Sequence, residues 1–155
     1  DIVIASCHWG VEYDQSPNAF QKNMAQKLAD AGADVIIGTH PHTLQDVEYI
    51  QRADGKRTLV AYSLGNFVSG MLEESCQLEG MLSFDIEKKK IKNVVFTPLV
   101  NYYTLTGKKE RHDFSVYRLK DYTNKLVEKH GFPNLTISHM KEEVKQKVKN
   151  IKIDM

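Results

Sequence analysis

Cysteine is scarce: Cys7 and Cys76 are the only two in 155 residues. Two thiols cannot build a disulfide framework or a four-cysteine zinc site, so both read as small hydrophobes. Long apolar runs are missing too. Nothing approaches the roughly 20 residues that span a bilayer, and no charged-then-apolar leader opens the chain. Charge of one sign is equally lacking, with 21 Lys and Arg against 20 Asp and Glu for a formal +1. The bulk charge therefore gives no reason to expect a nucleic-acid partner, although basic residues thicken towards the end. There is no internal repeat and no low-complexity tract. What is present, 41% hydrophobic residues, suits one globular unit with a core. The first residue is Asp1 rather than methionine, and a strand pattern starts there at once. We therefore read the sequence as part of something longer, in which a missing leader says little about the parent's location.

In chain order, Asp1 to Ser6 is a near-continuous apolar run, the pattern of a strand covered on both faces, and it breaks at Cys7-His8-Trp9-Gly10. A helix follows from Pro17, capped by Ser16, to about Gly32, with Phe20, Met24, Lys27-Leu28 and Ala31 at three-and-four spacing. Asp34 to Ile37 is the next strand, rich in β-branched residues, and it delivers Gly38-Thr39-His40-Pro41-His42. Strand, helix, strand implies two parallel neighbours joined by a right-handed crossover. Both strands then end on one rim, where open α/β sheets put their ligands, and His8, His40 and His42 meet there. Val47–Ile50 and Thr58–Tyr62 form a hairpin about Ala53–Lys56, leading to the polar turn Ser63–Phe67. Residues 69–79 show no clear period. Gly80–Ile86 and Ile91–Leu99 form a second hairpin about Glu87–Lys90, whose lysines read as a solvated turn or an edge guard. After a polar stretch from Thr106 to Asp113, Val116 to His130 carries Leu119, Tyr122, Leu126 and Val127 at helical spacing and stops before Gly131-Phe132-Pro133. Lys141 to Lys149 is a last helical segment with a solvated, charged face.

The chemistry concentrates in the three histidines. Two imidazoles one residue apart, separated by a proline, present nitrogen donors in a nearly fixed geometry. Alone, such a pair more often solvates a turn; a third histidine on the same rim reverses that balance. Donors of mixed histidine and carboxylate type suit zinc, manganese or iron. Glu12 is a candidate to orient a ligand or water, against the reading of an exposed carboxylate. Asn66 is a candidate at the same rim, against that of a turn residue bonding its own backbone. Trp9 is assigned to packing. Cys7 and His8 point to opposite faces of a strand and do not form a nucleophile pair. His112, His130 and His139 read as surface histidines.

The successive motifs His8-Trp9-Gly10-Val11-Glu12-Tyr13, Ala31-Gly32-Ala33-Asp34-Val35-Ile36-Ile37-Gly38-Thr39-His40-Pro41-His42 and Tyr62-Ser63-Leu64-Gly65-Asn66-Phe67 resemble, in order and spacing, those of the CapA family. Its members are capsule and poly-γ-glutamate synthesis accessory proteins with a calcineurin-like metallophosphoesterase domain. The resemblance covers about residues 1–100. It implies an α/β fold, the carboxyl-terminal half of a metallophosphoesterase-like two-sheet sandwich with flanking helices, to which this chain contributes one sheet. Residues 1–100 are that half, and residues 101–155 a helical extension of the same domain. It also implies a dinuclear centre of divalent ions (Mn, Zn or Fe), His8 and His40 serving one and His42 the other. The bridging aspartate comes from an amino-terminal half whose Gly-Asp and Asn-Asn-His motifs do not occur here. Ser69-Gly70 stands where the family often carries an acid. The implied parent is an extracytoplasmic, membrane-anchored protein of capsule assembly, with an acidic polymer and capsule-synthase membrane proteins as partners and no nucleic acid. Its activity is metal-dependent hydrolysis or transfer, the alternative being a nonenzymatic, polymer-binding subunit. This stretch alone is expected to be inactive and to self-associate through an uncovered apolar face.

Overall fold

The structure is a computed structural model that describes residues 1–107, 109–132 and 134–155. Lys108, in the polar stretch, and Pro133, expected beyond a helix end, lie outside the described residues.

The first sheet is built from β1 (Ile4–His8), β2 (Val35–Thr39), β3 (Val47–Gln51) and β4 (Arg57–Ala61), in the order β1-β2-β4-β3. β1, β2 and β4 are parallel and β3 returns antiparallel. Alternation splits its side chains between two cores. Ile36 and Val60 join Trp9, Ala25, Ala33 and Tyr62 on the side of α1 (Ala19–Asp30), while Val35, Leu59 and Ala61 face the other way. β1 is an edge strand rather than one covered on both faces. Ala5 and Cys7 pack on the α1 side, but Ile4 is 50% exposed, because no strand among the described residues lies beyond it.

α1 starts two residues later than Ser16-Pro17 suggests, since a capping box decides the point. Asn18 Oδ1 accepts from the Gln21 N–H, and Gln21 Oε1 accepts from the Asn18 N–H. Its buried stripe is Gln21, Ala25 and Ala29, with Phe20 turned to solvent. Alanines let the helix lie close to the sheet.

The second sheet comprises β5 (Leu78–Glu87), β6 (Lys90–Thr106), β7 (Glu110–Arg118) and the short β8 (Lys152–Ile153). β6 lies between β5 and β7 and also pairs with β8. The chain thus supplies two sheets where the sequence reading gives it one. Val116 to His130 is not a helix: its start belongs to β7, which pairs with β6 from Leu99↔Arg118 to Thr106↔Glu110. Only a 3₁₀ turn (Leu119–Asp121) and α2 (Asn124–Lys129) are helical there. A ladder of that length outweighs a weak helical period. Residues 101–155 are accordingly a mixed segment rather than a helical extension, and a boundary at residue 100 falls inside β6.

The last helix, α3 (Ile137–Lys147), buries Met140 and Val144. They join Val35, Leu59, Phe96 and Val100 in one core running through both sheets. His130 is buried here, contrary to its reading as a surface group. Tyr102, Tyr103, Tyr122 and Phe132 pack around it, and Tyr122 Oη lies 3.0 Å from its Nδ1. Burial pushes this imidazole down to about 4. Cys7 and Cys76 are free thiols. No helix among the described residues is long and apolar enough to cross a membrane.

Candidate metal centre

Parallel pairing sets the level of the site. The register Ile4↔Val35 through His8↔Thr39 ends both strands together and puts His40 and His42 in the loop beyond His8. Trp9, just beyond β1, crosses β2 closely at Gly38. A Cβ on Gly38 would sit 2.0 Å from the Tyr62 carbonyl oxygen and 2.4 Å from Trp9 Nε1. Glycine at 38 thus leaves room for the Trp9 ring, whose Nε1–H donates to that carbonyl at 2.8 Å across the sheet.

Both loop histidines have left-handed backbones, φ 101° at His40 and φ 63° at His42. Such conformations cost a non-glycine residue about 1–3 kcal/mol each and persist where the surroundings impose them. Here the Trp9 N–H donates to the Thr39 carbonyl (3.1 Å) and the Tyr13 N–H to that of Pro41 (2.8 Å), clamping the loop from both sides.

The loop carrying Glu12 is fixed from below. Thr43 Oγ1 donates to the Asp14 carbonyl at 2.7 Å, and Gln45 Nε2 to the carbonyls of Asp14 (2.8 Å) and Ser16 (3.1 Å). Gln21 Nε2 donates to Gln45 Oε1 at 2.8 Å. Both glutamines are fully buried. Buried amides with satisfied partners hold one geometry, because any shift leaves a polar group unpaired.

Glu12, His40 and His42 each offer a ligand atom, all within 4.8 Å of one another. His42 Nε2 lies 3.9 Å from Glu12 Oε1. Asn66 settles which nitrogen of His42 is free. Its Nδ2 donates to the His42 carbonyl at 3.2 Å, so its Oδ1, 2.9 Å from His42 Nδ1, must accept a proton from that nitrogen. Nε2 is left with its lone pair on the side of Glu12. The His8 ring lies 4.5 Å from the His40 ring, centroid to centroid, beside the three-residue cluster rather than in it.

Donors around a tetrahedral cation with bonds of about 2.1 Å stand about 3.4 Å apart. With ligand atoms up to 4.8 Å apart, the three groups need to close by up to about 1.4 Å, within reach of side-chain rotation, and two imidazoles with one carboxylate suit zinc, manganese or iron. The residues fit a divalent ion.

Residues 1–71 match the family model described as bacterial capsule synthesis protein PGA_cap. Over 99 residues the chain is 36% identical to the PGA biosynthesis protein CapA of Bacillus subtilis (strain 168), a stretch covering 64% of this chain and 25% of that protein. Residues 1–71 belong to the CapA family. The chain is also 46% identical over 68 residues to the capsule biosynthesis protein CapA of Bacillus anthracis, covering 44% of this chain and 15% of that relative. The matched stretches thus span a quarter or less of these relatives.

All five residues singled out in this CapA-family sequence, His8, Glu12, His40, His42 and Asn66, lie at one end of the first sheet. Three features escaped the sequence reading. Gln21 and Gln45 are polar residues among apolar neighbours, a pattern that could have marked them as a buried pair. The third is Glu79, at the start of β5. It is 0% exposed, with Cγ 3.3 Å from where a Gly65 Cβ would lie, and neither carboxylate oxygen has a partner. Burial pushes its carboxyl group up to about 9. It lies beneath the turn that presents Asn66 to His42.

Proposed function

We propose that His8, Glu12, His40 and His42 form the histidine side of a divalent-metal centre of metallophosphoesterase type. The parent protein would use it for metal-dependent hydrolysis or group transfer, at a phosphate ester or amide bond, in capsule or poly-γ-glutamate assembly. What carries the reading is the convergence of Glu12 with the His40 and His42 donors within 4.8 Å, with the free nitrogen of His42 selected by Asn66. Divalent ions of the zinc, manganese or iron class supply Lewis acidity when bound and lower the pKa of water. On this reading, as the family resemblance implies, His8 and His40 serve one ion and His42 the other; the His8 and His40 rings lie 4.5 Å apart, centroid to centroid. Glu12 orients a ligand or water, and Asn66 keeps the His42 ring in place.

The remaining oxygen ligands come, on this reading, from the amino-terminal half of the domain. Exposed Val11, Tyr13, Phe67 and Val68 near the site, and Val3 and Ile4 on the β1 edge, offer that segment an apolar surface. Without it, the same surface favours self-association. On this reading, as the family resemblance implies, the parent works outside the membrane on an anchor, together with membrane-bound synthase proteins. A second reading, a nonenzymatic subunit that holds the acidic polymer, rests on Glu12 being the sole carboxylate of the cluster among the described residues.

The test is the full-length protein assayed with and without manganese or zinc on phosphoester and glutamyl-amide substrates. Metal-dependent turnover that His42→Ala abolishes supports the enzyme. Absence of turnover with every metal, while the acidic polymer is still bound, supports the accessory role.

A further inference from the structure

Beyond Asn66 the chain runs from Phe67 to Glu73 without helix or strand, and side chains of the second sheet take up its backbone groups. Asn101, on β6, brackets Ser69: its Oδ1 accepts from the Ser69 N–H at 3.2 Å and its Nδ2 donates to the Ser69 carbonyl at 2.7 Å. The same Nδ2 donates to Gln77 Oε1 at 2.9 Å. Gln77 Nε2 donates in turn to the carbonyls of Met71 and Glu73, each at 2.9 Å. Tyr103 Oη also donates to the Met71 carbonyl. Alternation puts Asn101 and Tyr103 on the face of β6 away from Val100 and Tyr102, which belong to the main core. Gln77, Asn101 and Tyr103 are all fully buried.

A backbone N–H only donates and a carbonyl only accepts, so each amide in this series has one admissible orientation. The Ser69 N–H sets Asn101, Asn101 sets Gln77, and Gln77 then faces two carbonyls with its nitrogen. Any shift of the segment leaves buried polar groups unpaired, which holds it in one conformation. Gly70 lets it lie close to β7, since a Cβ there would come 3.2 Å from Arg111 Cδ and 3.6 Å from Phe114 Cζ.

The held segment brings Met71 Sδ to 3.6 Å from Asn66 Nδ2. A thioether sulfur accepts and cannot donate. The His42 carbonyl, to which the same Nδ2 donates at 3.2 Å, is likewise an acceptor. Flipping the Asn66 amide would set its oxygen against both. With the flip opposed, Oδ1 faces His42 Nδ1 and keeps the proton there. We infer that Met71 is a positioning residue: Gln77, Asn101 and Tyr103 of the second sheet hold its sulfur where it fixes the Asn66 amide, and through it the tautomer of His42. The inference rests on the proposed function only for the use made of the freed Nε2.

Imidazole ¹⁵N NMR of the 155-residue chain at pH 8, where a free imidazole is neutral, tests this beside thermal melts and a calorimetric Mn²⁺ titration. The parent should show His42 as a single tautomer, protonated on Nδ1. Met71→Leu keeps the volume and removes the acceptor; Tyr103→Phe removes only the hydroxyl that holds Met71. Each should lower Tm by no more than about 5 °C. Each should nevertheless raise the Nε2-protonated form of His42 about three- to tenfold, with the His112 ring unchanged. A parent in which both tautomers are already mixed would overturn the inference. So would a single His42 tautomer retained in both variants. A chain that shows the tautomer shift but binds no Mn²⁺ would remove the metal centre and leave the role of Met71 standing, so the two readings fail separately.

Discussion

Replacing Glu79 with glutamine tests whether a carboxyl group really lies unpartnered beneath the Gly65–Asn66 turn. The side chain is fully buried, with both oxygens unpaired. Its pKa rises from 4.5 to about 9, so at pH 7 the folded protein keeps a proton that the unfolded chain has released. The sign follows from that difference. Below pH 4.5 both states hold the proton and ionisation costs nothing; above it the unfolded state is progressively favoured, until the folded group also ionises near pH 9. At 1.36 kcal/mol per pH unit, the 2.5 units between 4.5 and 7 amount to about 3 kcal/mol. Glutamine matches the protonated acid in shape and never ionises. Urea unfolding of parent and Glu79→Gln should therefore agree near pH 4 and separate by up to about 3 kcal/mol at pH 7, the variant being the more stable. A variant less stable at pH 7, or a pH-independent offset, would mean that Glu79 is ionised and paired in the fold.

His130 gives the opposite dependence. It is depressed from 6.5 to about 4, so the parent loses about 3 kcal/mol as pH falls from 6.5 to 4, and thermal melts of His130→Phe should lack that acid-side loss. Gly38→Ala forces a Cβ against the Tyr62 carbonyl and Trp9; a loss of about 1–3 kcal/mol and a shift in Trp9 fluorescence are expected, and an unchanged melt would contradict the close crossing. Asn66→Ala leaves the His42 tautomer unset, so metal affinity measured by calorimetry should fall about 10- to 100-fold. An unchanged affinity would remove Asn66 from the site.

The part of the fold that positions the histidines was legible because its signals are local. The apolar run at Asp34–Ile37, the glycine after α1 and the histidines beyond each strand all lie within one strand, helix, strand unit. β7 was not legible, since Val116, Tyr117, Leu119 and Tyr122 satisfy a helical spacing nearly as well as a strand's, and only pairing with the long β6 decides between them. His130 sits in a polar stretch of sequence and is buried by rings from β6 and the adjoining turns, contacts that no local pattern encodes. Glu79 falls in the stretch 69–79 that shows no clear period, and its burial comes from the Gly65 turn packing against it. Within the centre, the histidines could be placed from strand ends alone. The seat of Glu12 depends on Thr43 and Gln45 reaching back to the Asp14 and Ser16 carbonyls.

His40 and His42, with Glu12, are proposed to hold divalent metal. Isothermal titration of the 155-residue chain with Mn²⁺ or Zn²⁺ tests it, using His40→Ala and His42→Ala beside His112→Ala, a histidine on β7. Weak binding is expected, because one carboxylate completes the cluster among the described residues, and either loop-histidine variant should abolish it while His112→Ala leaves it unchanged. Binding heats indifferent to His40 and His42 would contradict the claim, and two tight sites in this chain would show that no further carboxylates are needed.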